Sequence, residues 1–188
     1  MTVLADQDIG RELAYGDLDV SPVDLDEQLQ PNSLDIRLGT HFSQFYERPT
    51  PIDSMEGLEE TATFDFSKEN GGVVTMESGD FLLADTMESF DIPDYLYGQL
   101  HGRSSLGRLG IQIHSTAGLL DCGFKGDIVL ELSNVSPRSV NLYPGMRIGQ
   151  VVFHRLESRA NNPYSEENGN KYQEQEGVVH SRIEEDFQ

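Results

Sequence analysis

The sequence predicts a mainly β protein, most naturally an antiparallel barrel or jelly roll. Many short apolar runs are separated by turn residues, and the 188 residues include 18 glycines. Residues 73–156 contain one predicted strand after another, with no helical segments alternating between them. Strands in unbroken succession favour an antiparallel sheet over a parallel α/β fold. The length suits one domain with a substantial core.

The N-terminal region predicts a short helix and then a strand. Asp6 can cap the helix, Ile9 and Leu13 lie four residues apart on one face, and Gly16 can end it. The stretch "PNSLDIRLG", residues 31–39, predicts a turn followed by a strand, because apolar residues occupy every second position.

The remaining chain divides into strand-rich and polar parts. Residues 47–71 are polar and acidic and predict a long excursion, residues 79–102 predict strand, turn and strand, and residues 141–156 predict a turn and a strand. From Glu157 the composition becomes polar. We therefore expect one β-barrel domain over 1–156 and a C-terminal tail over 157–188.

The stretch "HGRSSLGRLG" predicts a short helix over 104–109. Ser104 and Arg108 share one face of this helix, and Leu106 and Leu109 can anchor another. Its N-terminus offers free backbone N–H groups beside hydroxyls, which could hold a phosphate. An ordinary capped turn with solvated arginines is the alternative interpretation.

Glu131 lies in the middle of a strand that otherwise predicts burial. Because side chains alternate along a strand, Glu131 shares a face with Asp127 and Val129. The other face is the natural core face: Ile128, Leu130 and Leu132. A buried carboxylate needs hydrogen bonds or a proton. Glu131 therefore faces solvent, a subunit interface or a functional site.

The charge balance excludes some partners. The chain has 33 acidic and 13 basic residues, a net charge of −20, and only three lysines. Nucleic acids and anionic membranes require a positive surface, so neither is an expected partner. An acidic, lysine-poor surface also suits a salt-rich cytoplasm, where screening weakens self-repulsion. A halophilic source is our hypothesis.

Other features restrict the location and the chemistry. One cysteine, Cys122, allows no internal disulfide, and neither a signal peptide nor a membrane-spanning apolar run is present, so a soluble cytoplasmic protein is expected. The five histidines have no metal-ligand spacing, and Cys-x-x-Cys and His-x-Glu are absent. The motifs of zinc-dependent nucleobase deaminases, P-loops and lipases are thus missing.

The acidic tail contains one unusual cation. Lys171 is the only lysine after Lys125 and lies near Tyr164, Tyr172 and Gln175. The tail could be disordered and solvated, or it could be a lid that closes on a ligand, with Lys171 on phosphate and a tyrosine on a ring.

Five stretches taken together resemble one family. "GRSSLGRLG", "HSTAGLLDCGFKGDIVLELSN" and "PGMRIGQ", in this order and spacing, resemble the dCTP deaminase branch of the dUTPase-related superfamily. "PNSLDIRLG" near the start and "KYQEQEG" near the end also match. The resemblance covers most of the chain and is weakest over 47–71. It implies a distorted β-barrel or jelly roll of the dUTPase type, with a short N-terminal helix and a C-terminal lid.

The resemblance also implies a homotrimer with active sites at the subunit interfaces, and a zinc-free reaction. Glu131 matches the catalytic carboxylate, which would activate water for attack on C4 of cytosine and then protonate the leaving amine. Ser104 and Arg108 match the residues that support it. Asp121 would bind the deoxyribose 3′-hydroxyl.

Further substrate-binding residues follow from the same resemblance. Mg²⁺ would arrive on the triphosphate, as is usual for nucleotide substrates. Besides Glu131, Asp121, Ser104 and Arg108, the expected substrate contacts are Arg103, Ser105, Val129, Gln150, Tyr164, Lys171 and Gln175.

The sequence also bears on the product and on regulation. Deaminase-only members tend to have His-Arg before Ile-Asp, whereas this chain has Gly118 and Leu119 before Leu120-Asp121. "AGLLD" followed by "GFKG" resembles the bifunctional members, which convert dCTP to dUMP. Thr116 and Ala117 match positions linked in the family to feedback inhibition by dTTP, so we expect that inhibition as well.

Three alternatives remain open beside the bifunctional enzyme. "AGLLD" also resembles the motif of plain dUTPases, although "RSSLGR" and "VLEL" argue against that interpretation. A deaminase that releases dUTP is the second alternative. A non-catalytic nucleotide-binding regulator on the same fold is the third, and it would not need Glu131.

Overall fold

The computed structural model describes residues 2–45, 50–56, 61–65 and 72–187, and it confirms the predicted mainly β architecture. The strands of the described residues, in chain order, are β1 (Thr2–Val3), β2 (Asp19–Ser21), β3 (Leu29–Gln30), β4 (Ser33–Phe45), β5 (Thr61–Asp65), β6 (Val74–Met76), β7 (Phe81–Asp91), β8 (Leu96–Gly102), β9 (Ile111–Gln112), β10 (Leu119–Leu120), β11 (Lys125–Asn134), β12 (Val140–Leu142) and β13 (Arg147–Arg155). The helices are α1 (Asp6–Tyr15), α2 (Leu25–Gln28) and α3 (Ser104–Gly107), with 3₁₀ turns at Glu166–Asn168 and Ile183–Phe187.

Within the described ranges, eleven of these strands form one curled antiparallel sheet. Its main order is β10-β8-β13-β4-β7-β11-β9, and β1, β2, β3 and β5 pair on its sides. Strands β6 and β12 form a separate two-stranded sheet. Strands that pair in this sheet are mostly distant in sequence. The long strands β13, β4, β7 and β11 lie next to one another and form its centre.

The N-terminal helix forms where the pattern predicted it, but with a different cap. Helix α1 begins at Asp6, and Ala5 occupies the cap position, so the predicted capping role of Asp6 is wrong. The carboxylate of Asp8 accepts the backbone N–H of Ala5 at 3.4 Å instead. Ile9 is fully buried. Because Ile9 anchors the helix, packing rather than a side-chain cap fixes its position.

The predicted excursion over 47–71 contains a strand. Residues 61–65 form β5, which pairs antiparallel with the second half of β4, from His41 to Phe45. Residues 46–49, 57–60 and 66–71 lie outside the described residues. The polar composition of this segment concealed the strand, because an edge strand need not carry an alternating apolar pattern.

Strand β4 is longer than predicted and is buried on both faces. Leu34, Ile36 and Leu38 are fully buried, as their alternation predicted. Asp35, on the opposite face, is also buried, with 2% of its surface exposed. Gln28 of α2 covers this face and donates from Nε2 to the Asp35 carbonyl at 2.8 Å. The same amide donates to the buried carboxylate of Glu88 at 2.9 Å.

A close approach between β4 and β7 depends on Gly39. The carboxylate of Asp85 accepts the backbone N–H of His41 at 3.0 Å and lies 2.6 Å from Nδ1 of the same histidine. A Cβ atom at Gly39 would lie 2.0 Å from Oδ1 of Asp85. Burial raises the pKa of the Asp85 carboxyl, and its contacts with His41 oppose that rise.

Helix α3 is shorter than predicted, and only one of its two leucines is an anchor. The helix ends at Gly107, and a turn continues to Gly110, which has a φ of +87°. Leu106 is buried, whereas Leu109 is 54% exposed, so the predicted anchoring by Leu109 is wrong in the isolated chain. The next element, β9, joins the end of β11 through Ser133 and Asn134.

The described residues contain no helix whose length and apolar character would let it cross a membrane.

Candidate active site

A pocket of about 510 Å³ lies against the polar face of β11. Strands β4 and β7, the loop leading into β10, and the C-terminal tail complete its walls. Its lining residues are Phe45, Phe81, Leu83, Ala117, Leu119, Leu120, Asp121, Phe124, Ile128, Val129, Glu131, Tyr164, Tyr172, Gln175, Val179, His180 and Ser181. Its volume is that of a typical small-molecule site, and it combines aromatic walls with a few polar groups.

Glu131 projects into this pocket from the middle of β11. The core face of the strand is buried as predicted, since Ile128, Leu130 and Leu132 are at most 4% exposed. Oε2 of Glu131 accepts the backbone N–H of Ser115 at 2.7 Å. The backbone N–H of Glu131 donates to the carbonyl of Ile113 at 3.0 Å. The segment between β9 and β10 therefore fixes both the backbone and the carboxylate of Glu131.

Asp121 lies at the mouth of the same pocket, directly after β10. The loss of water around its carboxyl raises its pKa. Tyr164 lies nearby and packs edge-on against Phe124 at a centroid distance of 5.9 Å. The pocket thus places two carboxylates, Glu131 and Asp121, beside an aromatic wall.

The tail returns to the sheet and lies along β11. Gln175 accepts the backbone N–H of Asp127 at 2.9 Å through its carbonyl, and its side chain donates back to the Asp127 carbonyl at 2.6 Å. The N–H of Glu174 donates to the Lys125 carbonyl, and the N–H of Gly177 donates to the Asp127 carboxylate, both at 2.8 Å. The tail is therefore ordered against the strand that carries Glu131.

Two glycines make room for the returning tail. Gly123 has a φ of +92°, and a Cβ there would lie 2.7 Å from the carbonyl oxygen of Tyr164. Gly126 has a φ of +123°, and a Cβ there would lie 2.6 Å from the carbonyl oxygen of Gln175. Both positions need glycine for the backbone conformation and for the close approach.

Sequence reasoning missed several residues that line the pocket or shape its walls. Phe45 and Phe81 stack at a centroid distance of 5.6 Å and form an apolar wall. Ser115 was missed because it acts through its backbone, which leaves no mark in a residue pattern. Gly123 and Gly126, in "CGFKG", did offer a signal, because two glycines before a strand indicate unusual backbone positions.

The predicted site residues fall into two groups. Six of them line the pocket: Ala117, Asp121, Val129, Glu131, Tyr164 and Gln175. Thr116 lies exposed in the adjoining loop. Five others lie elsewhere, at the adjoining ends of β8 and β13, and we call them the second group: Arg103, Ser104, Ser105, Arg108 and Gln150.

The second group is brought together by strand pairing. Gln150 lies opposite His101 in the β8–β13 pair, two residues before Arg103. Its Oε1 accepts the hydroxyl of Ser33 at 3.0 Å. Ser104, Ser105 and Arg108 are exposed on and just after α3. None of the five lines the pocket that contains Glu131 within one chain.

Lys171 belongs to neither group. Its Nζ lies 2.5 Å from the carboxylate of Asp186, near the end of the tail. Tyr172, the next residue, donates its N–H to the hydroxyl of Tyr164 at 3.0 Å. The loops of the tail thus hold Lys171 close to the pocket while its charge is paired with an acidic residue.

The curled β-sheet thus places two carboxylates beside an aromatic wall, and carboxylates in such a pocket can take up and release protons of a small molecule. A family model described as dCTP deaminase-like matches residues 3–156. The chain belongs to this dCTP deaminase-like family, as its motifs indicated.

Similar proteins agree with this assignment. The chain is 46% identical to a dCTP deaminase of Halorubrum lacusprofundi over 96% of this chain and 91% of that protein. It is 44% identical to a protein named "dCTP deaminase, dUMP-forming" of Halobacterium salinarum, over 96% of this chain and 94% of that protein. A protein of the same name from Dictyoglomus thermophilum is also 44% identical, over 98% and 96%.

A solved structure shares the fold. The 2′-deoxycytidine 5′-triphosphate deaminase of Agrobacterium tumefaciens superposes with a TM-score of 0.60 at 25% identity. The match covers 80% of this chain and 47% of that chain, so this protein spans about half the length of that structure.

Proposed function

We propose that this protein converts dCTP and two water molecules into dUMP, ammonia and pyrophosphate. The observation that carries the proposal is the position of Glu131, a fixed carboxylate in a nucleotide-sized pocket of a dCTP deaminase-like fold. Relatives named as dUMP-forming are similar over nearly the full length of the chain, which supports dUMP as the product, although relatives of equal similarity are named only as dCTP deaminase. Asp121, at the mouth of the same pocket, offers a second carboxylate for the phosphate-cleaving step.

Glu131 acts as general base and then as general acid. Ser115 binds Oε2, and no described residue donates to Oε1, which therefore can orient a water molecule. The carboxylate takes a proton as the water oxygen bonds to C4 of cytosine. It then gives that proton to the amine, the C4–N bond breaks, and ammonia leaves. Loss of ammonia leaves a hydroxyl on C4, and transfer of its proton to N3 gives the C4 carbonyl of uracil.

The base binds at an open edge of β11. The backbone groups of Asp127 bond to the tail, and the N–H of Glu131 donates to the carbonyl of Ile113, on the edge away from β7. The N–H of Ile128 points the other way, to the hydroxyl of Thr86 in β7. Because alternate residues of a strand point their backbone groups to the same edge, those of Val129 face the gap between the tail and Ile113. A pyrimidine edge fits this gap beside Glu131.

The deoxyribose and the phosphates occupy the outer part of the pocket. Asp121 accepts the 3′-hydroxyl, while Tyr164 and Gln175 close over the nucleoside from the tail. Lys171 exchanges Asp186 for a phosphate oxygen when the nucleotide binds, since its ammonium group is already held beside Tyr172. Mg²⁺ enters on the triphosphate as part of the substrate.

The second group reaches the pocket of a neighbouring subunit in a homotrimer. Within one chain it does not line the Glu131 pocket. Next to it, Leu109 and Val135 are 54% and 65% exposed, and the N–H of Val135 bonds to Gly110. Exposed apolar residues beside polar site residues indicate a contact between subunits. Ser104 and Arg108 then support Glu131 and its water across the interface.

Mixing two inactive variants tests this arrangement. We expect Ser104→Ala and Glu131→Gln each to lose activity. If each site takes Ser104 and Glu131 from different chains, unfolding and refolding an equal mixture restores activity to about a quarter of wild type, the statistical share of sites with both native residues. Lack of any recovery, with trimers formed, would place both residues in one chain.

The product assay tests the proposal directly. The protein is incubated with dCTP and Mg²⁺ in high salt, and the nucleotides are separated by anion exchange. dUMP and pyrophosphate without accumulating dUTP are expected. Accumulating dUTP would instead indicate a deaminase that stops there, and turnover of dUTP alone would indicate a plain dUTPase. Added dTTP is expected to inhibit through the loop of Thr116 and Ala117, which adjoins the residue that holds Glu131.

A charge-neutral variant separates an enzyme from a nucleotide-binding regulator. Glu131→Gln keeps an acceptor for Ser115 but cannot carry the proton, so deamination should fall by at least about 100-fold while dCTP still binds. Glu157→Gln, at an exposed position, is the matched control and should behave as wild type. Undiminished turnover in Glu131→Gln would exclude this mechanism.

A further inference from the structure

A buried carboxylate holds two arginines together beside the second group. Oδ2 of Asp35 lies 3.2 Å from Nη1 of Arg147 and 3.8 Å from Nη2 of Arg103. Arg103 also donates from Nη1 to the carbonyl of Arg147 at 3.4 Å, and Arg147 donates to the carbonyl of Glu27 at 3.0 Å. Three elements, β4, β13 and the segment after β8, therefore meet at one ionic cluster.

This cluster keeps a positive charge in a strongly acidic protein. The carboxyl group of Asp35 is buried, with 3% of its side chain exposed, whereas the side chains of Arg147 and Arg103 are 41% and 32% exposed. One carboxylate balances only one of the two guanidinium groups. Arg147 donates both of its side-chain hydrogen bonds from Nη1, so its Nη2 and Nε groups donate to none of the described residues. Two like charges held together favour an anion between them.

The residues around Arg147 indicate that the anion it would bind is a phosphate. Arg147 begins β13, and Gly149 and Gln150 further along that strand lie opposite Gly102 and His101. Arg103 follows Gly102 directly. Arg147 therefore lies next to the residues expected to bind phosphate, although nothing in its own sequence motif pointed to that role.

We propose that Arg147 binds the triphosphate of the nucleotide together with Arg103, and that Asp35 is the positioning residue for both. The inference rests on the proposed function for its substrate, a pyrimidine nucleoside triphosphate. Guanidinium groups bind phosphate oxygens in pairs of parallel hydrogen bonds, and the buried carboxylate fixes their orientation before the substrate arrives. Asp35 acts only through the arginines and does not touch the substrate.

Direct binding of inorganic tripolyphosphate is the first test, because it needs no catalytic turnover. Calorimetry compares wild type with Arg147→Met, Arg147→Lys and the control Arg138→Met, in which an exposed arginine outside the cluster loses its charge. Arg147→Met should weaken binding about 10- to 100-fold, the effect of losing charged hydrogen bonds. Arg147→Lys should recover part of that loss, and Arg138→Met should bind as wild type.

Kinetics with dCTP provide the second test. Arg147→Met should raise KM by a similar factor and leave kcat within about twofold, since the lost contact is to the phosphates and not to the reacting base. Asp35→Asn should raise KM in the same direction, and its thermal unfolding is measured to show that it is folded. Binding of dCMP should be unaffected in all variants.

The outcomes separate this inference from the proposed function. Tripolyphosphate binding that depends on Arg147 without any turnover of dCTP by wild type would support the inference and contradict the proposed function. Turnover of dCTP with unchanged tripolyphosphate binding and KM in Arg147→Met would overturn the inference alone. Equal losses in Arg147→Met and Arg138→Met would also overturn it, because general electrostatics would then explain the effect.

Discussion

Replacing Gly123 with alanine should release the tail from the pocket. A Cβ at this position would lie 2.7 Å from Cβ of Pro163 and 2.7 Å from the carbonyl oxygen of Tyr164. Both atoms belong to the start of the tail, and one is a backbone atom that cannot rotate away. The tail must therefore move, and it loses the hydrogen bond from the N–H of Tyr164 to the carbonyl of Cys122, which is 2.8 Å long.

The matched control is Gly79→Ala. Gly79 has a φ of +90°, against +92° for Gly123, but no atom of the described residues lies within 4 Å of a Cβ built there. Both variants thus place alanine in a left-handed conformation, which costs roughly 1–2 kcal/mol in each. Only Gly123→Ala adds a collision with the tail, so the difference between the two variants isolates tail docking.

The size of that difference follows from the two interactions that break when the start of the tail moves. One backbone hydrogen bond contributes about 1 kcal/mol, and the edge-on packing of Tyr164 against Phe124 contributes about 1 kcal/mol more. Docking would therefore weaken by about 2 kcal/mol, which is about a 30-fold shift toward the undocked tail.

Hydrogen exchange measures this shift. The amides of Glu174 and Gly177 donate to β11 and should exchange about 30-fold faster in Gly123→Ala than in Gly79→Ala. The affinity for dCTP should fall in Gly123→Ala, because Tyr164 and Gln175 reach the pocket from the tail. Equal protection of these amides in the two variants would refute the view that Gly123 admits the tail.

Two further predictions concern stability. Gly39→Ala places a Cβ 2.0 Å from the carboxylate of Asp85, so overpacking should lower the free energy of unfolding by about 1–3 kcal/mol in chemical denaturation; an unchanged midpoint would contradict the close approach. His154 is buried, its Nδ1 has no hydrogen-bond partner among the described residues, and burial, followed by the charge of His101, lowers its pKa. The unfolded chain therefore binds the proton of this histidine more tightly than the folded chain. The stability that the neutral His154 contributes is complete above about pH 6.5 and is lost as the pH falls through the folded pKa. The free energy of unfolding of His154→Gln should fall less over this range than that of wild type, and identical pH profiles would contradict the prediction.

Sequence patterns correctly predicted which face of a strand is buried where neighbouring residues alone determine that burial. The alternation in β11 correctly placed Ile128, Leu130 and Leu132 on the face opposite Glu131, because successive side chains of a strand point to opposite faces. The same reasoning failed for β4, where Asp35 is buried opposite the apolar face. Its burial depends on Gln28 and on two arginines from distant parts of the chain, and no local pattern records such partners.

The prediction for Leu109 failed for a related reason. Helical spacing placed it with Leu106 as an anchor, but α3 ends at Gly107 and leaves Leu109 facing solvent within one chain. The second group is a different case, because the family resemblance and not residue spacing predicted it. The same resemblance implied active sites at subunit interfaces, so the separation of this group from the pocket within one chain does not contradict the prediction.

The course of β11 connects the tail to the proposed chemistry. Along the edge away from β7, the tail bonds at Lys125 and Asp127, the gap lies at Val129, and the β9–β10 segment bonds at Glu131. A base in that gap would touch both the tail and the strand segment that carries the carboxylate. In the proposed mechanism, closing of the tail would therefore complete one wall of the base site and remove water from around Glu131 at the same time. This arrangement explains why the two glycines that admit the tail lie just before β11 and at its second residue, only eight and five residues before Glu131.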